Sequence, residues 1–192
     1  MSSDVIVAAS EWGDKCMVPK TIFKTRINDD KTVGGGCAIG GEWKDVTTDD
    51  LFSNKKVVLF SLPGAYTPTC SSQQVPGYEA KYNELKEQGI DEVYCVSVND
   101  AFVMNAWFRD QKISNVKPIG DGEGAFTQGM GMLVNKAHLG FAHRTWRYSA
   151  LIINGEVTKI FVEPGKNDQG TDNDPFEVSD ADTMLKYLQE AK

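Results

Sequence analysis

Cys70 stands in the stretch PGAYTPTCS, residues 63–71, where two prolines, a glycine and two threonines crowd around one cysteine. A thiolate is a strong nucleophile, so the first question is what this frame does for the sulfur. The stretch follows KKVVLFSL, residues 55–62, an apolar run after two lysines that reads as a strand buried on both faces. It leads into CSSQQVPGYEAKYNELKEQG, residues 70–89, which reads as a helix stopped by Gly89. Cys70 therefore falls at a strand-to-helix junction. Unpaired N–H groups and the macrodipole of a helix start favour an anion, so a reactive thiolate is expected. Thr67 precedes Cys70 by three positions, and its hydroxyl can bond both the thiolate and a ligand oxygen. Pro63 and Gly64 shape a tight, partly dry pocket floor, and Pro68 sets the approach to the helix. A lone cysteine at a helix start is most simply a buried, inert one. The spacing Pro-x-x-x-Thr-x-x-Cys at Pro63, Thr67 and Cys70 argues for chemistry instead.

Other chemistries fit less well. A cysteine hydrolase would pair Cys70 with a histidine, but it leaves Thr67 and the two prolines without a role. A phosphatase loop needs an arginine soon after the cysteine, and SSQQVP has none. GGGCAIGG, residues 34–41, fails the G-x-G-x-x-G spacing and lacks the Lys-Ser/Thr of a phosphate loop, so it reads as a flexible turn. His138 and His143 with scattered cysteines do not make a zinc pattern. No metal or cofactor is expected. The absence of C-x-x-C counts against a thioredoxin-type reductase.

The elements that must position this motif follow in order. Residues 20–27 alternate as a strand, and about 28–43 read as a Gly-rich hairpin or insertion. Residues 47–52 suit a short capped helix. Pro76 lies inside the helix after Cys70, so a kink is expected near it. Residues 92–99 form a second buried strand, and Asp100 can cap a helix over 101–112. A short strand over 116–121 and a short helix or turn among the glycines of 122–132 come next. Asn154-Gly155 between two apolar runs marks a hairpin over 148–163. After a polar loop, Ser179 is expected to cap a C-terminal helix. This βα, βα, hairpin, helix order predicts an α/β protein with a mixed central sheet and helices on both faces.

The 192 residues are 41% hydrophobic and 24% charged, as expected of one globular domain over 1–192. The net charge of −7 makes the chain a poor general binder of nucleic acid or anionic membrane. No apolar run approaches the roughly 20 residues that span a bilayer. Asp4 precedes the apolar patch of the N-terminus and no basic segment does, so it reads as mature protein and not a signal peptide. Four irregularly spaced cysteines suit a reducing compartment, and a cytoplasmic location is expected.

PGAYTPTCS resembles the peroxidatic signature of the peroxiredoxins, in the peroxiredoxin-5 branch. VPGYEAKYNELK, VSVNDAFVMNAW, WRYSALIINGEV and FEVSDADTMLKYL carry the resemblance along the chain from Lys20 onward. The chain is similar above all to the peroxiredoxin part of bacterial peroxiredoxin–glutaredoxin hybrids. The resemblance implies a thioredoxin-like fold and a thiol peroxidase acting on hydrogen peroxide and alkyl hydroperoxides. It implies that Cys70 is the peroxidatic cysteine and becomes a sulfenic acid. Thr67 matches the threonine that bonds thiolate and peroxide, and Pro63 the proline that shields the sulfenate. Arg147, in TWRYS, matches the arginine that stabilises the thiolate and orients the peroxide, with Arg144 as second choice. One position departs: many members of the branch have a histidine where this chain has Gln74. Gln can hydrogen-bond but cannot titrate near neutral pH.

No cysteine follows Cys95, which sits mid-strand and is expected to be buried. Cys37, among glycines, is expected to be exposed, and Cys16 to be mobile. A one-cysteine mechanism follows, with glutathione and glutaredoxin as reductant by resemblance to the hybrids, and thioredoxin as the other donor. The rival reading is a redox-sensing or chaperone-like protein whose cysteine passes oxidation to a partner. The resemblance also implies a homodimer or higher homo-oligomer packed near the active-site loop, for which AFVMNAWF offers Trp107 and Phe108; in a monomer those aromatics would be core.

Overall fold

The computed structural model describes residues 16–29, 31–33, 37–38 and 40–191. The N-terminal segment, the centre of the Gly-rich stretch and the Cys37 side chain, whose exposure was an expectation above, lie outside the described residues.

The chain opens with β1 (Ile22–Ile27), β2 (Thr32–Val33), β3 (Cys37–Ala38) and β4 (Glu42–Thr47). β1 pairs antiparallel with β4, and β2 with β3, so the segment forms a nested hairpin. Thr47 caps α1 (Thr48–Phe52) in a reciprocal box with Asp50. The central sheet is built from β5 (Lys56–Ser61), β6 (Glu92–Ser97), β7 (Lys117–Gly120), β10 (Tyr148–Ile153) and β11 (Glu156–Val162). Its order is β11-β10-β5-β6-β7. β5, β6 and β7 run parallel, β10 runs antiparallel to β5, and β11 reverses again to pair antiparallel with β10. The sheet is mixed, as expected.

β5 shows why this sheet needs cover on both sides. Val58, Phe60 and Leu62 enter one core with α2 (Val75–Ala80), α3 (Tyr82–Glu87), α4 (Ala101–Asp110) and α6 (Ala181–Glu190). Val57 and Leu59 enter the other with Phe52 of α1 and Phe126 of α5 (Ala125–Gly129). A strand alternates sides with period two, so a continuous apolar run needs an apolar partner on each face. The helices accordingly lie on both faces. Phe60 stacks on Tyr78 with centroids 3.9 Å apart; truncating such a buried ring costs about 3–5 kcal/mol.

The Asn154-Gly155 turn has φ of 49° and 80°. Both residues are left-handed, as a two-residue hairpin turn requires. Asp100 caps α4 through Val103 N. Between α5 and β10 the chain forms a further hairpin, β8 (Leu133–Asn135) with β9 (His143–Thr145), that the sequence reading had not separated.

Three expectations change. The helix over 70–89 is not one rod: a π-helical turn at Cys70–Gln74 gives way to α2, and the chain breaks at Lys81 before α3. Pro76 has no N–H and its ring crowds the preceding turn, so the turn before it widens and Val75 N donates to Cys70 O. α6 is capped by Asp180 through Thr183 N, not by Ser179. Ser179 is drawn inward because the buried Glu163 carboxylate needs donors, and takes both its N–H and its hydroxyl. Finally, Trp107 and Phe108 are core residues, 0% and 4% exposed, and offer no surface to a partner. No helix among the described residues is long and apolar enough to cross a membrane.

Candidate active site

Cys70 lies in the first turn of the helical run that Pro68 opens, where Ser71 N donates to Thr67 O. Proline suits this place because its missing N–H would have no helical partner. The sulfur is fully buried. The preceding loop is held by specific bonds. Ala65 N donates to Asn99 Oδ1 at 3.0 Å, and Tyr66, with φ of 61°, donates its hydroxyl to Asp110 at 2.6 Å. Partial desolvation of this otherwise exposed side chain, together with that carboxylate, pushes the Tyr66 phenol up to about 12. Trp107 Nε1 donates to Ser71 Oγ at 3.1 Å and fixes the turn from the other side.

Arg147 reaches Cys70 from the short link between β9 and β10. Its backbone is clamped: Glu163 N donates to Arg147 O, and Ser61 Oγ donates to the neighbouring Trp146 O. The side chain is buried, and Nη1 lies 3.5 Å from Cys70 Sγ. Nη1 also donates to Gln74 Oε1, and Nη2 to Asp174 Oδ1, each at 2.5 Å. Burial alone would lower the guanidinium's pKa, but Cys70 and Asp174 more than offset it and raise it above the ordinary value. Nε is buried and has no hydrogen-bond partner among the described residues. A buried donor without an acceptor is costly, about 1–3 kcal/mol. Such a donor, on the guanidinium whose Nη1 touches the sulfur, fits an oxygen ligand.

The structure brings Cys70 and Arg147 together. Thr67, one helical turn before Ser71, donates its hydroxyl to Gly64 O at 2.8 Å and not to the sulfur. Pro63 is buried in the same loop. Arg144, the second choice, comes against the same loop but spends its donors on backbone: its Nε and Nη1 donate to Phe141 O and Val98 O. A Cβ on Gly64 would come within 3.2 Å of Arg144 Nη1 and 3.3 Å of Thr67 Cγ2, so this loop passes closely between them. Cys95 is buried in the same core as Cys70. Burial pushes its thiol well above the ordinary value, and Cys70 adds to the effect.

Sequence reasoning missed Asp174. It lies in a polar loop 27 positions after Arg147, and no periodicity or motif marks it. Gln74 was seen only as a departure, yet it bridges Arg147 to Ser61 O.

Comparison with known proteins agrees with the geometry. The Redoxin family model matches residues 37–185. The hybrid peroxiredoxin hyPrx5 of Haemophilus influenzae is 54% identical over 171 residues, covering 89% of this chain; this chain spans 64% of that protein's length. A peroxiredoxin of Synechocystis is 50% identical over 175 residues, 91% of this chain and 90% of its own. The crystal structure of the Plasmodium falciparum antioxidant protein, a 1-Cys peroxiredoxin, superposes with a TM-score of 0.82 at 33% identity, over 92% of this chain and 99% of that one. The fold is therefore thioredoxin-like, and the chain belongs to the peroxiredoxin family of thiol-dependent peroxidases.

Proposed function

We propose that Cys70 is the peroxidatic cysteine of a one-cysteine peroxidase that reduces hydrogen peroxide and alkyl hydroperoxides. The observation that carries this reading is the buried 3.5 Å contact between Arg147 Nη1 and Cys70 Sγ. The Cys70 thiolate attacks the distal peroxide oxygen and the O–O bond breaks. The departing oxygen takes a proton and leaves as water or alcohol; sulfur is oxidised to sulfenic acid and the peroxide is reduced. Arg147 stabilises the thiolate and then the charge that moves onto the leaving oxygen, with its free Nε–H toward the substrate. Thr67 turns its hydroxyl from Gly64 O to the bound peroxide, and Pro63 shields the sulfenate.

Recycling runs through glutathione. Its thiolate attacks the sulfenic sulfur, releases water and leaves a mixed disulfide for glutaredoxin to reduce. Resemblance to the hybrid proteins supports this donor over thioredoxin. We read the chain as one domain, acting in the reducing cytoplasm as a homodimer, with the exposed Tyr66 of the active-site loop at the contact. The sensor reading keeps one point in its favour, the complete burial of Cys70, which slows access of a bulky donor.

The test is hydrogen peroxide consumption with glutathione and glutaredoxin, in the parent and Cys70→Ser. Turnover that vanishes in the variant supports the peroxidase and its donor. One equivalent per chain followed by arrest transfers the case to thioredoxin or to a sensor. No consumption removes the peroxidase reading.

A further inference from the structure

The loop between β11 and α6 does more than connect them. Its carboxylates point back onto the body of the protein. Asp168 accepts from Asn135 N at 2.8 Å. Asp172 pairs with Lys136 at 2.5 Å, with both side chains nearly sealed from solvent, 5% and 3% exposed. The Lys136 ammonium in turn lies 4.9 Å from the ring centroid of Trp146, the residue before Arg147. Two positions after Asp172, Asp174 adopts φ of 50°, donates its N–H to Asp172 Oδ1 and accepts from Arg147 Nη2. Phe176 then lays its ring 5.6 Å from the guanidinium carbon. The loop is thus a strap, pinned by a buried ion pair, that delivers one carboxylate to the arginine facing Cys70.

A guanidinium held at one nitrogen can still swing about that bond; held at two, its plane is set. Gln74 and Cys70 take Nη1, and Asp174 takes Nη2. The Asp174 side chain is 46% exposed, so water screens its charge while the hydrogen bond keeps its direction. Aim therefore outweighs the carboxylate's opposing pull on the thiolate. We propose that Asp174 is a positioning residue for the peroxidase reaction: carried by the strap, it holds the Arg147 guanidinium against Cys70. The proposal rests on the reading that Arg147 acts on the Cys70 thiolate.

The test uses the full chain and two readouts, the rate constant for hydrogen peroxide and the alkylation rate of Cys70 by iodoacetamide, followed by mass spectrometry. Asp174→Ala is expected to lower both about tenfold, the loss of one charge-assisted hydrogen bond. Asp174→Asn keeps an acceptor and suits the left-handed backbone, so it is expected to recover to within about threefold of the parent. In an Arg147→Gln background, Asp174→Ala is expected to add nothing, because Asp174 acts only through Arg147. Rates in Asp174→Ala within twofold of the parent overturn the proposal. So do equal losses in the Ala and Asn variants, or a loss that persists without Arg147. If the parent consumes no peroxide, the peroxidase reading fails, and the alkylation cycle still decides the role of Asp174.

Discussion

Gln74 joins Arg147 to the end of β5. Its Oε1 accepts from Arg147 Nη1 at 2.5 Å, and its Nε2 donates to Ser61 O at 3.2 Å. The amide is buried and serves a donor and an acceptor at once. It holds the arginine without adding a group that titrates near neutral pH.

Gln74→Ala removes both bonds and leaves two buried groups short of partners. The expected result is a loss of about 2–4 kcal/mol in stability, with peroxide consumption down about tenfold. Urea unfolding and stopped-flow kinetics read the two effects separately. An unchanged urea midpoint would mean that water replaces the amide at no cost.

Thr67→Val keeps the shape of the side chain and removes its hydroxyl. If Thr67 bonds the peroxide, consumption falls about 10²-fold, while Thr67→Ser stays close to the parent. Equal rates for Val and Ser would confine the hydroxyl to its bond with Gly64 O.

Cys95→Ala separates one-cysteine from two-cysteine recycling. Cys95 shares a core with Cys70, so its exclusion needs direct evidence. Turnover with glutathione and glutaredoxin is expected to continue at a similar rate, with a stability cost of about 1–2 kcal/mol for the small cavity. Arrest after a single equivalent of peroxide would make Cys95 the resolving thiol.

Glu79 sets an acid limit on stability. Burial would raise its pKa, but bonds from Val116 N, Ser114 N and Asn115 more than reverse this and hold the carboxyl below its ordinary 4.5. A depressed folded value stabilises the protein above the unfolded value, and that gain is lost as pH falls through the folded one. The parent is therefore expected to exceed Glu79→Gln by about 1–2 kcal/mol at neutral pH. The gap should close as pH drops below 4.5. A gap constant from pH 7 to pH 3 would show that the carboxyl's charge contributes nothing.

Much of the architecture was legible because local rules decided it. The run Val57 to Phe60 demanded cover on two faces, Asn154-Gly155 demanded a tight turn, and Asp100 stood at a cap. Where a distant group competed, local reading failed. Ser179 looked like the cap of α6, but the buried Glu163 drew it inward and left the cap to Asp180. Trp107 and Phe108 looked available to a partner, but α4 turns them into the core.

The order of residues alone determined the strand-to-helix junction at Cys70, the spacing of Pro63 and Thr67 before it, and the family resemblance that singled out Arg147. Each depends on neighbours in the chain or on a recognisable pattern of types. Only the tertiary structure decided how Arg147 is held. Gln74 comes from a π-helical turn and Asp174 from a strap pinned by Lys136 and Asp172, and the two meet the guanidinium on different nitrogens. Those partners are separated from it by 73 and 27 positions. No local propensity couples residues so far apart; packing of the sheet and closure of the strap bring them together.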